Sequence, residues 1–310
     1  MLIGVAVPNA GPLARTDALV RLGAKAEEDG FDSVWVADHL IIPAESSQSY
    51  PYARQAGMPL SPDWPFLDPL IALAAIASRT SRVLLGTGVY LLPLRHPLAT
   101  AKAAASLDVL SGGRLLLGVG LGWISEEYAA VGVPWAERGR IMDEQIALLR
   151  ALWREERPRF TGAYWKLDGF GFEPKPANVD IPILIGGNGP PARRRAARLG
   201  DGWHVIDLEP QELATCARAS VADSEALGRA KRPALSMYAS IAVTERPIAA
   251  AEREFPLMGS VDQIAERLIA YRDAGLDHIV LAARGLASIQ AYEELFAIIR
   301  DDIVPRTRAE

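Results

Sequence analysis

Residues 83–123 read VLLGTGVYLLPLRHPLATAKAAASLDVLSGGRLLLGVGLGW. Residues 83–88 and 115–119 are short, nearly unbroken apolar runs that turn glycine-rich at their C-terminal ends, the pattern of parallel strands buried on both faces. Pro97 suits the first turn of an intervening helix, where its missing amide would be unpaired anyway, and Gly112 and Gly113 supply the stop. Strand, helix and strand within roughly 40 residues make one right-handed crossover unit. Glycine weakens a strand, so Gly88, Gly118, Gly120 and Gly122 imply a close approach to the backbone there, either by a ligand or by tight packing within a barrel.

The same alternation runs through the rest of the chain. Further strands are expected over 2–8, 33–38, 183–185, 202–206, 234–243 and 278–283. Further helices are expected over 16–29, 68–79, 137–154, 191–199, 210–227, 261–274 and 289–303, with a small hairpin over 159–167 around Gly162. Eight strand–helix pairs with no break in composition close best as one (β/α)8 TIM barrel, a single α/β domain over residues 1–310. Such a barrel needs about 250 residues and leaves roughly 60 for insertions. The insertions after strands two, four and seven fall at the C-terminal face, where barrels build their sites. An open doubly wound sheet would carry G-x-G-x-x-G after its first strand, and the chain has Val7-Pro8-Asn9-Ala10-Gly11 there.

Half of the residues are apolar, enough for a large core, and the formal charge of -5 with no basic stripe argues against a nucleic-acid partner. The one cysteine, Cys216, excludes a disulfide framework within the chain and fits a reducing compartment. The opening MLIGVAVP lacks a charged leader and a cleavage site, and no segment has the apolar length of a membrane span. The expectation is a cytoplasmic protein acting on a small molecule.

Position along a barrel strand sorts the four histidines. His278 opens strand eight on the bottom face and reads as structural, and His204 lies inside strand six as a core histidine. His39 follows Asp38 at the C-terminal end of strand two and His96 lies in the loop after strand three, so both belong to the catalytic face. An Asp38-His39 pair suits proton transfer near neutral pH, or else caps the following loop. Glycines 186, 187 and 189 around Asn188 open onto a helix and offer backbone amides to an anion, with Arg193, Arg194, Arg195 and Arg198 just beyond. Glu126 and Glu127 either act as an acid or base or start an exposed helix, where negative charge suits the N-terminal dipole. H-E-x-x-H, G-x-S-x-G and a Walker lysine loop are all missing, which leaves zinc, serine-hydrolase and P-loop chemistry without support.

Several segments together carry a more specific likeness. They are Val34-Trp35-Val36-Ala37-Asp38-His39, Leu85-Gly86-Thr87-Gly88-Val89, His96-Pro97, the run 107–115 and Gly118-Val119-Gly120-Leu121-Gly122-Trp123, with Gly186-Gly187 and Gly200-Asp201-Gly202-Trp203. Over nearly its whole length the chain resembles the luciferase-like family of flavin- and deazaflavin-dependent barrel oxidoreductases, most of all the branch that uses the 5-deazaflavin coenzyme F420. That resemblance implies a non-prolyl cis peptide at Gly88–Val89 behind the deazaflavin ring, with Thr87, Gly88 and Val89 among the cofactor contacts. It implies that Asp38 touches the cofactor, that Gly120, Gly122 and Trp123 border it, and that Gly186, Gly187, Asn188 and Gly189 form the loop for its phosphate. His39 then corresponds to the histidine beside the ring, as proton donor or acceptor.

The sugar-phosphate dehydrogenases of that branch carry a glutamate acid where this chain has Trp123, which argues against glucose 6-phosphate and for a flat or apolar substrate. Two other readings share the barrel: an FMN-dependent monooxygenase using O2 and a separate reductase, and an F420-binding protein without catalysis. Tyr50, Tyr52, Trp64, Phe66, Trp123, Tyr128 and Trp135 line an entrance if the insertions fold over the top, or else pack on one another. Family members are commonly dimers, which implies a homodimer.

Overall fold

A computed structural model describes residues 1–46, 50–52 and 60–307. Residues 47–49 and 53–59, inside the long loop after the second strand, and 308–310 lie outside the described residues.

The first unit is strand β1 (Leu2–Ala6), helix α1 (Thr16–Glu28) and strand β2 (Ser33–Val36). Helix α2 (Pro69–Ala77) starts where expected because the Asp68 carboxylate accepts from the amides of Leu70 and Ile71, two of the donors a helix start leaves open. Strand β3 (Leu84–Thr87) breaks at Gly88–Val89 and resumes as the two-residue strand β4 (Tyr90–Leu91). Helix α3 (Pro97–Ser111) ends on Gly112, left-handed at φ 71°, and strand β5 (Leu115–Gly120) follows.

Helices α4 (Ser125–Ala130) and α5 (Arg138–Arg154) come next. The anticipated hairpin is β6 (Arg159–Thr161) paired antiparallel with β7 (Lys166–Asp168). Then come β8 (Ile183–Gly186), α6 (Pro190–Leu199), β9 (Gly202–Ile206), α7 (Pro210–Ala226) and β10 (Ala234–Val243). The insertion after β10 holds a strand that periodicity does not reveal, β11 (Leu257–Gly259), parallel to β10 with Leu257 opposite Ile241. Three residues are too few to show an alternation. Helix α8 (Val261–Asp273), strand β12 (His278–Ala283), helix α9 (Ile289–Ile298), a π turn over Ile299–Ile303 and helix α10 (Val304–Thr307) close the chain.

Strands β1, β2, β3, β5, β8, β9, β10 and β12 pair in parallel, and β12 returns to β1 while β9 joins β10, so these eight strands close on themselves. The molecule is a TIM barrel with its helices outside, as the repeated strand–helix pattern predicts. Between the strands and helices lies the large apolar layer, and the barrel interior holds Ala6, Trp35, Leu184, Val280 and Ala282. Trp35 is fully buried in the space Gly86 leaves, since a Cβ there would lie 2.2 Å from the indole. Among the described residues no helix is long and apolar enough to cross a membrane.

Candidate active site

Strand β2 stops at Val36, so Asp38 and His39 leave the sheet on the C-terminal face and diverge. The Asp38 side chain is fully buried against Arg95, whose guanidinium donates to both oxygens at 2.6 and 2.8 Å, and the Leu91 amide adds a third bond at 2.8 Å. Burial pushes the Asp38 carboxyl up, and Arg95 with the Leu91 amide opposes that push. Arg95 also lies 4.3 Å over the Tyr90 ring and bonds Asp68. The carboxylate of Asp38 therefore fastens the end of β2 to the β4 segment.

His39 faces the mouth. Its Nδ1 lies 2.8 Å from Glu127 Oε2, while Glu127 Oε1 accepts from the amides of Leu40 at 2.9 Å and Ile41 at 3.4 Å. Glu127, on α4, is 1% exposed. Of the two readings of that glutamate pair, Glu127 does not lie on an exposed helix start; it is turned inward onto the loop that carries His39. Among the described residues His39 Nε2 has no hydrogen-bond partner, and the ring sits between Phe66 at 5.8 Å and Trp123 at 6.0 Å, both edge-on. Phe66 is held by a strand-like bridge to Ala10.

The Gly88–Val89 peptide is cis, as the resemblance implied, and the Gly88 amide donates to the Val36 carbonyl at 2.8 Å, which sets the bulge beside the end of β2. What approaches the glycines is the chain itself. A Cβ on Gly120 would lie 2.3 Å from one Val89 methyl, a Cβ on Gly186 2.8 Å from the other, and a Cβ on Gly118 2.0 Å from the Thr87 carbonyl oxygen. Of the two explanations for these glycines, close packing holds for Gly118, Gly120 and Gly186. They seat the Val89 side chain, and Thr87 is tied down by its hydroxyl donating to the Gly118 carbonyl at 2.7 Å.

The glycine loop is similarly committed on one side. Gly187 donates its amide to the His204 carbonyl at 3.0 Å and accepts from the Trp203 indole at 2.7 Å. The Asn188 side chain makes two 2.8 Å bonds to the backbone of Ile206. Pro190 and Pro191 have no amide, and Ala192 donates to the Gly189 carbonyl, so helix α6 offers fewer open amides than a helix start usually does. The Tyr52 phenol oxygen lies beside this loop, 3.9 Å from where a Cβ on Gly187 would sit, and burial pushes its pKa up. Three of the four arginines are taken up by carboxylates on neighbouring helices. Arg193 pairs with Asp223 at 2.7 Å, and Arg195 and Arg198 both pair with Asp143, tying α6 to its neighbours α7 and α5.

His278 and His204 are buried within the barrel, as their positions along the strands foretold. His278 bonds the Ser33 hydroxyl at 2.7 Å near the barrel bottom. His204 lies 1% exposed, stacked on Trp35 at 4.9 Å with Nδ1 2.8 Å from the Ser236 hydroxyl and Nε2 without a partner. Burial, with a smaller push from His278, lowers His204 to about 3, and burial lowers His278 to about 4. His96 is exposed and caps helix α3, its ring accepting from the Leu98 amide at 3.3 Å.

The aromatic residues divide. Tyr50 stacks edge-on with Trp123 and with Tyr52, both at 5.5 Å, so these three join His39 and Phe66 over the mouth. Tyr128 and Trp135 instead pack on each other at 5.0 Å with Leu91 and Leu94, and Trp64 is 43% exposed.

A family model described as luciferase-like monooxygenase matches residues 2–255. A protein of Nakamurella multipartita named F420-dependent glucose-6-phosphate dehydrogenase is 30% identical, the match covering 94% of this chain and 92% of that one. A Mycobacterium tuberculosis protein named F420-dependent hydroxymycolic acid dehydrogenase is 36% identical over 73% of this chain and 59% of the relative. The crystal structure of a monooxygenase from Streptomyces bottropensis shares the fold, with TM-score 0.79 at 22% identity over 98% of this chain and 99% of that one. Barrel, bulge and matched length agree, and the chain belongs to the luciferase-like monooxygenase family.

Proposed function

We propose that the chain is an F420-dependent oxidoreductase that moves a hydride between the deazaflavin and a small apolar alcohol or carbonyl compound, with His39 carrying the proton. The single observation that carries this reading is His39 itself, anchored through Nδ1 and open at Nε2 between two aromatic rings, in a chain whose full-length relative is named for F420. The residues fit a cofactor of this class. Val89 on its bulge gives an apolar backing, and Gly187, at φ 121°, keeps a side chain out of the loop beside the Tyr52 phenol oxygen, where a phosphate oxygen would meet backbone amides.

On this reading Val89 and Trp123 meet the ring, Gly122 borders it, and the amides of Asn188 and Gly189 take the phosphate once Tyr52 gives way. Thr87, Gly88, Gly120, Gly186 and Gly187 act by shaping the bulge and loop, and Asp38 by holding Arg95. F420, when bound, supplies a two-electron hydride acceptor or donor. His39 Nε2 takes the hydroxyl proton of an alcohol, or returns it to a carbonyl oxygen, and general acid–base help of this kind is worth about 10²–10⁴-fold. Trp123 and Phe66 exclude water and favour an apolar substrate over a sugar phosphate. Ile71 at 72% and Leu110 at 76% exposure, on the adjacent helices α2 and α3, support a homodimer that covers them.

Calorimetric titration of the purified protein with F420 and, separately, with FMN tests the cofactor. Binding of F420 at micromolar or tighter Kd with none of FMN is the expected result. Preference for FMN would overturn the reading and place the chain among the oxygen-using members.

A further inference from the structure

The sequence left Glu127 either an acid or base or the start of an exposed helix, and its carboxylate is spent on the segment that carries His39. We infer that Glu127 is a positioning residue that fixes neutral His39 as the Nδ1–H tautomer, so that the lone pair of Nε2, and not an N–H, faces the substrate. This rests on the reading of His39 as the proton carrier.

The geometry is specific on each oxygen. Oε1 accepts from the amides of Leu40 and Ile41, and so cannot rotate away without stranding two donors. Oε2 is thereby left 2.8 Å from Nδ1. A carboxylate only accepts hydrogen bonds, so the proton of the Nδ1–Oε2 bond belongs to the imidazole. A neutral imidazole has one N–H, and with Nδ1 carrying it Nε2 is an acceptor. The carboxylate is 1% exposed, and a buried carboxylate persists where its oxygens are satisfied, as all three donors from residues 39–41 do here.

The consequence for the proton is direct. In alcohol oxidation the substrate O–H bond breaks and an Nε2–H bond forms, while the deazaflavin, when bound, would supply the two-electron acceptor for the hydride that leaves carbon. The imidazolium so produced has its Nδ1–H on Glu127 Oε2, and the opposite charge next to it stabilises the cation until Nε2 releases the proton to solvent. In carbonyl reduction the same imidazolium returns the proton to oxygen as hydride arrives at carbon. The wrong tautomer would present Nε2–H to the alcohol and could not take its proton.

Glu127→Gln separates this role from mere stapling of the loop. The glutamine carbonyl retains the Leu40 and Ile41 amides, whereas its NH2 donates to Nδ1 and forces the Nε2–H tautomer. Imidazole 15N spectra of the apo protein, with His39 assigned by loss of its signals in His39→Ala, are expected to show Nδ1 protonated in the wild type and Nε2 protonated in the variant. Turnover is expected to fall by about 10²–10⁴-fold in kcat, with F420 affinity and substrate KM little changed. His39→Ala and the double variant are expected to be equally slow, because the two residues act as one unit.

An Nε2–H tautomer in the wild type overturns the inference at once, even if Glu127→Gln does not fold. An unchanged tautomer and unchanged kcat in a folded variant overturn it as well. Failure of F420 to bind sinks the proposed function instead, and the apo spectra decide the tautomer independently of that outcome.

Discussion

Arg95 and Asp38 show how a single residue in a barrel mouth is assigned its work by its neighbours. Asp38 adjoins His39 in sequence, but its carboxylate points to a guanidinium that is 12% exposed, with its own side chain wholly buried. A buried pair of this kind is costly to break from one side, because the charge left behind has neither water nor a partner. Arg95→Met is therefore expected to destabilise the fold by about 3–5 kcal/mol in denaturant unfolding, and Asp38→Asn in the same chain to restore part of that. Loss of less than about 0.5 kcal/mol would show that the pair is replaced by solvent, as at an ordinary surface ion pair. Glu127 is the companion case, where burial and three donors on 39–41 give a glutamate a positioning task.

At the scale of the element, the bulge between β3 and β4 is the device that distinguishes this barrel from a plain one. Its side chain, Val89, projects into a seat made by the absence of three side chains, at Gly118, Gly120 and Gly186 on two neighbouring strands. Overpacking of a fitted site costs about 1–3 kcal/mol. Gly120→Ala, whose methyl would lie 2.3 Å from Val89 Cγ2, is expected to lose that much by thermal unfolding. Val89→Ala removes the opposing methyl, so the double variant should be more stable than Gly120→Ala alone. If instead the two losses simply add, the clash is relieved elsewhere and Val89 is not what the glycine makes room for. Helix α6 carries a similar lesson, since its arginines bind Asp143 and Asp223 on flanking helices and serve the outer ring of the barrel.

For the whole molecule, the two histidines inside the barrel set a dependence on pH. His204 and His278 are neutral in the fold, with pKa values lowered by burial from 6.5 to about 3 and about 4. Unfolded, each binds a proton near pH 6.5, so the unfolded state holds more protons between those limits. Their contribution to stability is complete above pH 6.5 and is lost as pH falls through that value toward the folded values. Between pH 7.5 and pH 5 each histidine removes up to about 2 kcal/mol. Urea unfolding at the two pH values should show the loss, and His204→Phe, which keeps a ring against Trp35, should reduce it by up to about 2 kcal/mol. An equal loss in that variant would assign the acid sensitivity to other groups.

Much of this protein is local in the sequence. Apolar runs of five or six residues, Pro97 and Asp68 at helix starts, and Gly112 at a helix end each mark their element within a few positions, because burial on both strand faces and the open amides of a helix start act over short range. Eight repeats of that local pattern leave a closed barrel as the way to pair every strand edge, and strand ends then show which face His39 occupies. The position of His39 and the 186–189 loop were legible on those terms, and the Gly88–Val89 cis peptide through resemblance. Tertiary structure decided the partners. Glu127 is 88 positions from His39 and Arg95 is 57 from Asp38, and nothing near any of them in sequence reveals the pairing. Strand order and register bring those side chains together, and the same register turns four strand-end glycines from a general mark of close approach into a seat for one valine and a border for the mouth. Periodicity reports which side of an element meets the core, while the identity of what it meets there depends on neighbours that only the closed barrel supplies.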